Sequence, residues 1–111
     1  MRLEALSMQP INSLHPRFKE ALEKFIASLS KNLKGDFEAY LFGSLARGDY
    51  LLDSDIDVMV VTKALGHIKP WERTAYLRKL APENVGFDII CYTMEEFEEV
   101  RHLRRDLLKI T

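Results

Sequence analysis

The sequence predicts an α/β fold: a small three-stranded mixed sheet flanked by helices, in strand order 1-2-3, with strands 1 and 2 antiparallel and strands 2 and 3 parallel. Three observations predict it. Short runs rich in β-branched and aromatic residues occupy residues 37–42, 55–61 and 86–92. Apolar residues at helical spacing precede the first run and follow the second and third. Roughly 25 residues including a helix join the second run to the third, enough for a crossover between parallel strands.

The first helix opens at Pro16, a residue suited to the first helical position. Phe18, Leu22, Phe25, Ile26, Leu29 and Leu33 follow at helical spacing with Lys and Glu between them, and Gly35 stops the run. Residues 1–15 show no clear period and contain Pro10 and Asn12-Ser13. They read as a loose N-terminal arm with Leu3, Leu6 and Met8 as anchors, which leaves 16–111 as a single domain. Residues 44–54 are polar, with room for about one helical turn near Leu45 to Arg47. Pro70 opens the crossover helix, which carries Trp71, Ala75, Leu77 and Leu80 and is broken by Pro82 and Asn84. The last helix starts at a capping box, Thr93 with Glu96, and its apolar face is Phe97, Val100, Leu103 and Leu107.

Composition narrows the function classes. A 47% hydrophobic, 30% charged chain is that of a globular domain with one core. The formal net charge of −1 gives no global attraction for nucleic acid or anionic membrane, so phosphate binding must be local. One cysteine, Cys91, rules out an intrachain disulfide and disfavours a cysteine-based zinc site. His15, His67 and His102 have no ligand spacing and read as surface residues. No hydrophobic leader core forms in residues 1–14, and no apolar run approaches the roughly 20 residues that span a bilayer. The expectation is a cytoplasmic protein without a membrane or nucleic-acid partner.

The informative stretch runs from Leu41 to Val61. In a strand, residues two apart share a face, about 6.6 Å apart, so Asp55 and Asp57 project side by side while Ile56 and Val58 face the core. Adjacent carboxylates repel and lose solvation near a core. A divalent cation reverses that balance, because hard oxygen ligands converge on Mg²⁺. Asp88 interrupts the third apolar strand near its start, and a parallel pairing of strands 2 and 3 brings all three acids to one end of the sheet. Three carboxylates at one point suggest two ions. Gly43-Ser44 ends the first strand; an antiparallel pairing sets it beside Asp55. Gly43 admits a phosphate close to the backbone, Ser44 offers a hydroxyl and an N–H, and Arg47 supplies a bidentate fork.

These residues resemble a known pattern. Gly43-Ser44, ten residues, then Asp55-x-Asp57 is similar to the hallmark of the polymerase-β-type nucleotidyltransferase superfamily. Gly-Ser-x-Ala-Arg-Gly followed by Ser-Asp-Ile-Asp resembles its small prokaryotic branch, the minimal nucleotidyltransferases (MNT), and Asp88 matches the third acid. The likeness covers Phe37 to about Tyr92. It implies the nucleotidyltransferase fold and transfer of a nucleoside monophosphate to a hydroxyl, with Mg²⁺ and release of pyrophosphate. Asp55, Asp57 and Asp88 would be the catalytic and metal-binding residues, and Gly43, Ser44 and Arg47 the nucleotide-binding ones. Minimal members work beside a helical HEPN toxin, as antitoxins that transfer AMP from ATP to a toxin tyrosine.

Rival readings stand beside these. One is an idle antitoxin that neutralises its toxin by binding alone; another is transfer to a small molecule or RNA. Arg47 has a competing surface pairing with Asp49 or Asp53, and Asp88 a competing role as a strand-start residue. Cys91 reads as core, Arg101, Arg104 and Arg105 as a solvated face with contact to phosphate or a partner's acidic patch as the alternative, and Tyr50 has no assigned place. The apolar end, Leu107, Leu108 and Ile110, points to docking on another chain, a copy of itself or a toxin.

Overall fold

A computed structural model of the protein describes residues 9–111. The anchors proposed for the arm, Leu3, Leu6 and Met8, lie outside the described residues. Residues 9–15 are packed rather than loose: a short helix α1 (Gln9–Asn12) sets Ile11 and Leu14 into the core, where both are buried. Three residues apart, they share one face of a turn and continue the apolar stripe of the next helix. That helix, α2 (Pro16–Asn32), carries Pro16 in its first turn, and the Arg17 backbone N–H donates to His15 Nδ1 at 3.1 Å. Its buried face is Phe18, Ala21, Leu22, Phe25 and Leu29. Each large apolar side chain so buried contributes about 1.5–3 kcal/mol.

The strands are β1 (Glu38–Phe42), β2 (Ile56–Val61), β3 (Phe87–Tyr92) and a two-residue β4 (Leu108–Lys109). The sheet order is β3-β2-β1-β4, with β1 and β2 antiparallel and β2 and β3 parallel. The expected three strands are present in the expected directions, and β4 is an addition on the far edge. Between them lie α3 (Gly43–Arg47), α4 (Pro70–Arg78) and α5 (Met94–Val100). Thr93 and Glu96 form the capping box at the start of α5, with Glu96 N–H donating to Thr93 Oγ1 at 3.2 Å and Thr93 N–H to Glu96 Oε1 at 2.8 Å.

Two expectations about helix faces fail. In α4, Trp71 and Ala75 are exposed, and the buried residues are Leu77 and Arg73. Arg73 Nε donates to the Leu65 and Ile68 carbonyls, both at 3.0 Å, and Nη1 to Glu96 Oε1 at 2.8 Å. A guanidinium whose hydrogen bonds go to two carbonyls and a carboxylate can be buried where sequence spacing expects an apolar group. The last helix also ends sooner than its stripe predicts. After α5 one 3-10 turn (Arg101–Leu103) leaves Leu103 exposed, and the chain turns back at Arg104 in an extended conformation.

The reason lies in the sheet edge. β1 offers unpaired backbone groups, and β4 takes them: Tyr40 pairs with Lys109 and Leu41 with Leu108. The Ile110 N–H donates to the Ala39 carbonyl at 2.9 Å, and the Ile110 side chain is fully buried. Leu107 packs beside Phe97 and Leu108 beside Leu41. The apolar end thus docks on its own sheet instead of standing free for another chain.

Strand alternation divides the sheet into two faces. Ala39, Leu41, Ile56, Val58, Val60, Phe87, Ile89 and Cys91 join α2 in the larger core. Tyr40, Phe42, Met59, Val61, Ile90 and Tyr92 face the other way and pack around Phe97. That second face carries the acids.

Candidate active site

Register decides which side chains meet. Phe42 pairs with Asp57, and Asp57 pairs with Asp88, so these three form one rung across the sheet. The next rung is Tyr40, Met59 and Ile90, all on the second face. Period-2 alternation puts Asp57 and Asp88 on that face too, on neighbouring strands about 4.8 Å apart. Asp55 sits one step before β2 on the same side, and its carboxylate rests against Gly86, where a Cβ would collide with Oδ1. Phe97 of α5 covers the other rungs of this face, and the acid rung lies at its end.

Electrostatics report the crowding. Asp57 is half-buried, and its pKa is raised, first by burial and then by the nearby carboxylates Asp88 and Asp55; Arg104 and Arg47 oppose the shift. Burial penalises the Asp57 charge itself and the neighbouring carboxylates repel it, and a bound cation would relieve both. In kind the donors fit a hard divalent ion. Among the described residues, however, no three acidic, histidine or cysteine side chains stand together closely enough to form a metal cage. Asp57 and Asp88 are paired; Asp55 is turned to Gly86.

The turn after β1 is shaped by Gly43. Its φ is +70°, in the left-handed region, and a Cβ there would run into the Asp57 carboxylate. Glycine is therefore needed twice, for conformation and for clearance. Ser44 follows in the first turn of α3, and its carbonyl accepts the N–H of Gly48 at 2.9 Å. Arg47 is exposed, its Nε donating to Asp49 Oδ2 at 3.2 Å, so the surface pairing weighed for it exists.

Several neighbours of the site escaped sequence reasoning. Asp106 Oδ2 accepts the Gly43 N–H at 2.8 Å and lies 3.6 Å from Arg47 Nη1. Arg104 stacks its guanidinium over Phe42, 4.2 Å from the ring centroid. Gly86 seats Asp55. Only Gly86 carried a signal, a glycine two residues before a strand acid; Asp106 and Arg104 arrive through the unforeseen return of the chain. Tyr50 turns out to be structural, its hydroxyl accepting the His15 N–H at 3.0 Å and its ring edge meeting Phe18.

Residues 22–110 match the nucleotidyltransferase domain family. The chain belongs to that family.

Two proteins of Methanocaldococcus jannaschii are similar to this nucleotidyltransferase. Putative protein adenylyltransferase MJ0141 is 32% identical over 72 residues, 64% of this chain and 71% of its own. Putative protein adenylyltransferase MJ0604 is 41% identical over 44 residues, 39% of this chain and 44% of its own. Together they support an MNT-type nucleotidyltransferase. A crystal structure of a putative nucleotidyltransferase from Sulfolobus solfataricus superposes with a TM-score of 0.66 at 23% identity, covering 93% of this chain and 84% of that one. A second nucleotidyltransferase structure gives 0.53 at 23% identity, with 87% of this chain and all of that one covered. The two structures speak to the fold. Among the described residues no helix is long and apolar enough to cross a membrane.

Proposed function

We propose that this nucleotidyltransferase transfers AMP from ATP to a hydroxyl of a partner protein, a tyrosine of a HEPN-type toxin, and so acts as an antitoxin in the cytoplasm. The observation that supports this best is the rung of Asp57 and Asp88 beside Gly43. The kinship to proteins named as protein adenylyltransferases points the same way.

Asp57 and Asp88, with Asp55 beside them, would hold the Mg²⁺ ions. When bound, these would supply charge neutralisation at the phosphates and at the attacking oxygen. The protein's own groups do the rest. Gly43 keeps the backbone close, and the Ser44 hydroxyl and N–H and the Arg47 fork hold phosphate oxygens. Asp88, exposed at the rung's end, takes the acceptor hydroxyl's proton. A bond forms between the acceptor oxygen and the α-phosphorus, the bond from that phosphorus to the bridging oxygen breaks, and pyrophosphate leaves with those electrons.

The test is co-purification with the product of the neighbouring gene, then intact-mass measurement after incubation with ATP and Mg²⁺. One added AMP mass on that partner is expected, on a tyrosine. A neutralised partner with no added mass would overturn catalysis in favour of neutralisation by binding, and AMP on RNA or a small molecule would overturn the choice of acceptor.

A further inference from the structure

Two of the residues assigned to the phosphate cradle, Gly43 and Arg47, are already engaged by one carboxylate. Asp106 Oδ2 takes the Gly43 N–H at 2.8 Å and stands 3.6 Å from Arg47 Nη1. The Asp106 side chain is only 23% exposed, so this is not a contact at the end of a waving side chain. It is delivered by residues 104–107, a stretch without helix or strand. At its start Arg104 lies over Phe42, and at its end stand the two residues of β4. A carboxylate oxygen and a phosphate oxygen make the same demands on an N–H and a guanidinium, and they repel each other.

We infer that Asp106 is a built-in competitor for the nucleoside triphosphate, so that its withdrawal from Gly43 and Arg47 accompanies nucleotide binding and sets the affinity of the site. This rests on the proposed phosphate role of Gly43 and Arg47. The hold is suited to release. β4 pairs with β1 through two residues only, and the strap between Arg104 and Leu107 has no backbone ladder of its own. The carboxylate also serves the nucleotide-free protein, since it occupies the Gly43 N–H and faces an arginine that already has Asp49. Triphosphate, the stronger anion, brings more charge to the same donors and displaces it.

The experiment measures ATP binding with Mg²⁺ by calorimetry for the wild-type chain, Asp106→Asn and Asp106→Ala, with thermal melts to confirm folding. Asp106→Asn keeps an oxygen for the Gly43 N–H and removes the charge. It should bind ATP at least about fivefold more tightly, the scale of one like-charge contact at about 4 Å even in bulk water. Equal or weaker binding by folded variants would overturn the inference and make Asp106 a support of the cradle. A second measurement uses the wild-type chain alone: amide exchange at Leu108 and Ile110 should quicken on saturation with ATP, and slower or unchanged exchange would overturn it. Absence of ATP binding in the wild type and in both variants would overturn the phosphate assignment and this inference together, which separates the two failures.

Discussion

The two faces of one sheet have opposite relations to stability. On the face toward α2, Leu41, Val58 and Ile89 are apolar, buried and mutually attractive. One residue away along each strand, Phe42, Asp57 and Asp88 form a rung with two adjacent carboxylates. The first face does what folding requires. The second carries a local cost, seen in the raised pKa of Asp57, that folding alone gives no reason to keep. Because a strand alternates, the same six residues of β2 serve both without compromise. The lesson is that the chemistry proposed for this protein sits where alternation sets acid against acid.

Substitutions on the two faces should therefore dissociate. The largest effect is expected for Asp57→Asn, which should lower transfer by about 10²–10³-fold, the loss of several kcal/mol of charge stabilisation. The same variant should melt higher than wild type without metal, by about 4–8 °C for each kcal/mol of repulsion relieved. The sign follows from linkage. The folded-state pKa of Asp57 lies above its unfolded value, so the folded chain holds the proton longer. Stability then falls as pH rises from the ordinary aspartate range through the raised pKa. Melts of both proteins from about pH 4, near the ordinary aspartate pKa, up to about pH 7 should show that slope in the wild type and its reduction in the variant.

Leu41→Ala should do the reverse. Leu41 is fully buried on the helix-covered face, and its truncation should cost about 2–5 kcal/mol by urea titration. Transfer by the fraction that remains folded should be unchanged. Gly43→Ala joins the two faces' logic: a positive φ costs a non-glycine residue about 1–3 kcal/mol, and the added methyl also displaces the Asp57 carboxylate. It should lose both stability and transfer, whereas a variant retaining full transfer would separate Gly43 from the acid.

The smallest effect belongs to Tyr40→Phe, one rung along the second face from the acids. The Tyr40 hydroxyl donates to Glu38 Oε1 at 2.8 Å, and its loss should cost about 0.5–1.5 kcal/mol. Burial, then the Glu38 hydrogen bond, raise the Tyr40 pKa to about 12 from 10.0. The folded state therefore keeps that proton longer, and stability contributed by this pair should decline as pH climbs from 10 toward about 12. Alkaline denaturation followed by tyrosine absorbance checks it, and transfer at neutral pH should stay intact.

Much of this arrangement was readable before any coordinates. The β-branched runs placed β1, β2 and β3, Pro16 and the Thr93–Glu96 box placed two helix starts, and crossover length gave the parallel pairing. The spacing of Gly43, Asp55 and Asp57 pointed to the candidate site, and strand direction brings Asp88 beside Asp57. What escaped depended on partners distant in sequence. Leu103 and Leu107 continue a helical period, but an open β1 edge draws the chain into β4 instead, and with it Asp106 onto Gly43. Arg73 escaped for a related reason: its burial depends on carbonyls at Leu65 and Ile68 and on Glu96, which no periodic pattern reveals.

The most direct test of the account is a Mn²⁺ titration followed by electron paramagnetic resonance, with ATP present, on the wild-type chain and on the double variant Asp57→Asn, Asp88→Asn. The wild type should bind Mn²⁺ and the folded double variant should lose that binding. Equal binding by both would contradict the assignment of the metal to the paired acids of β2 and β3.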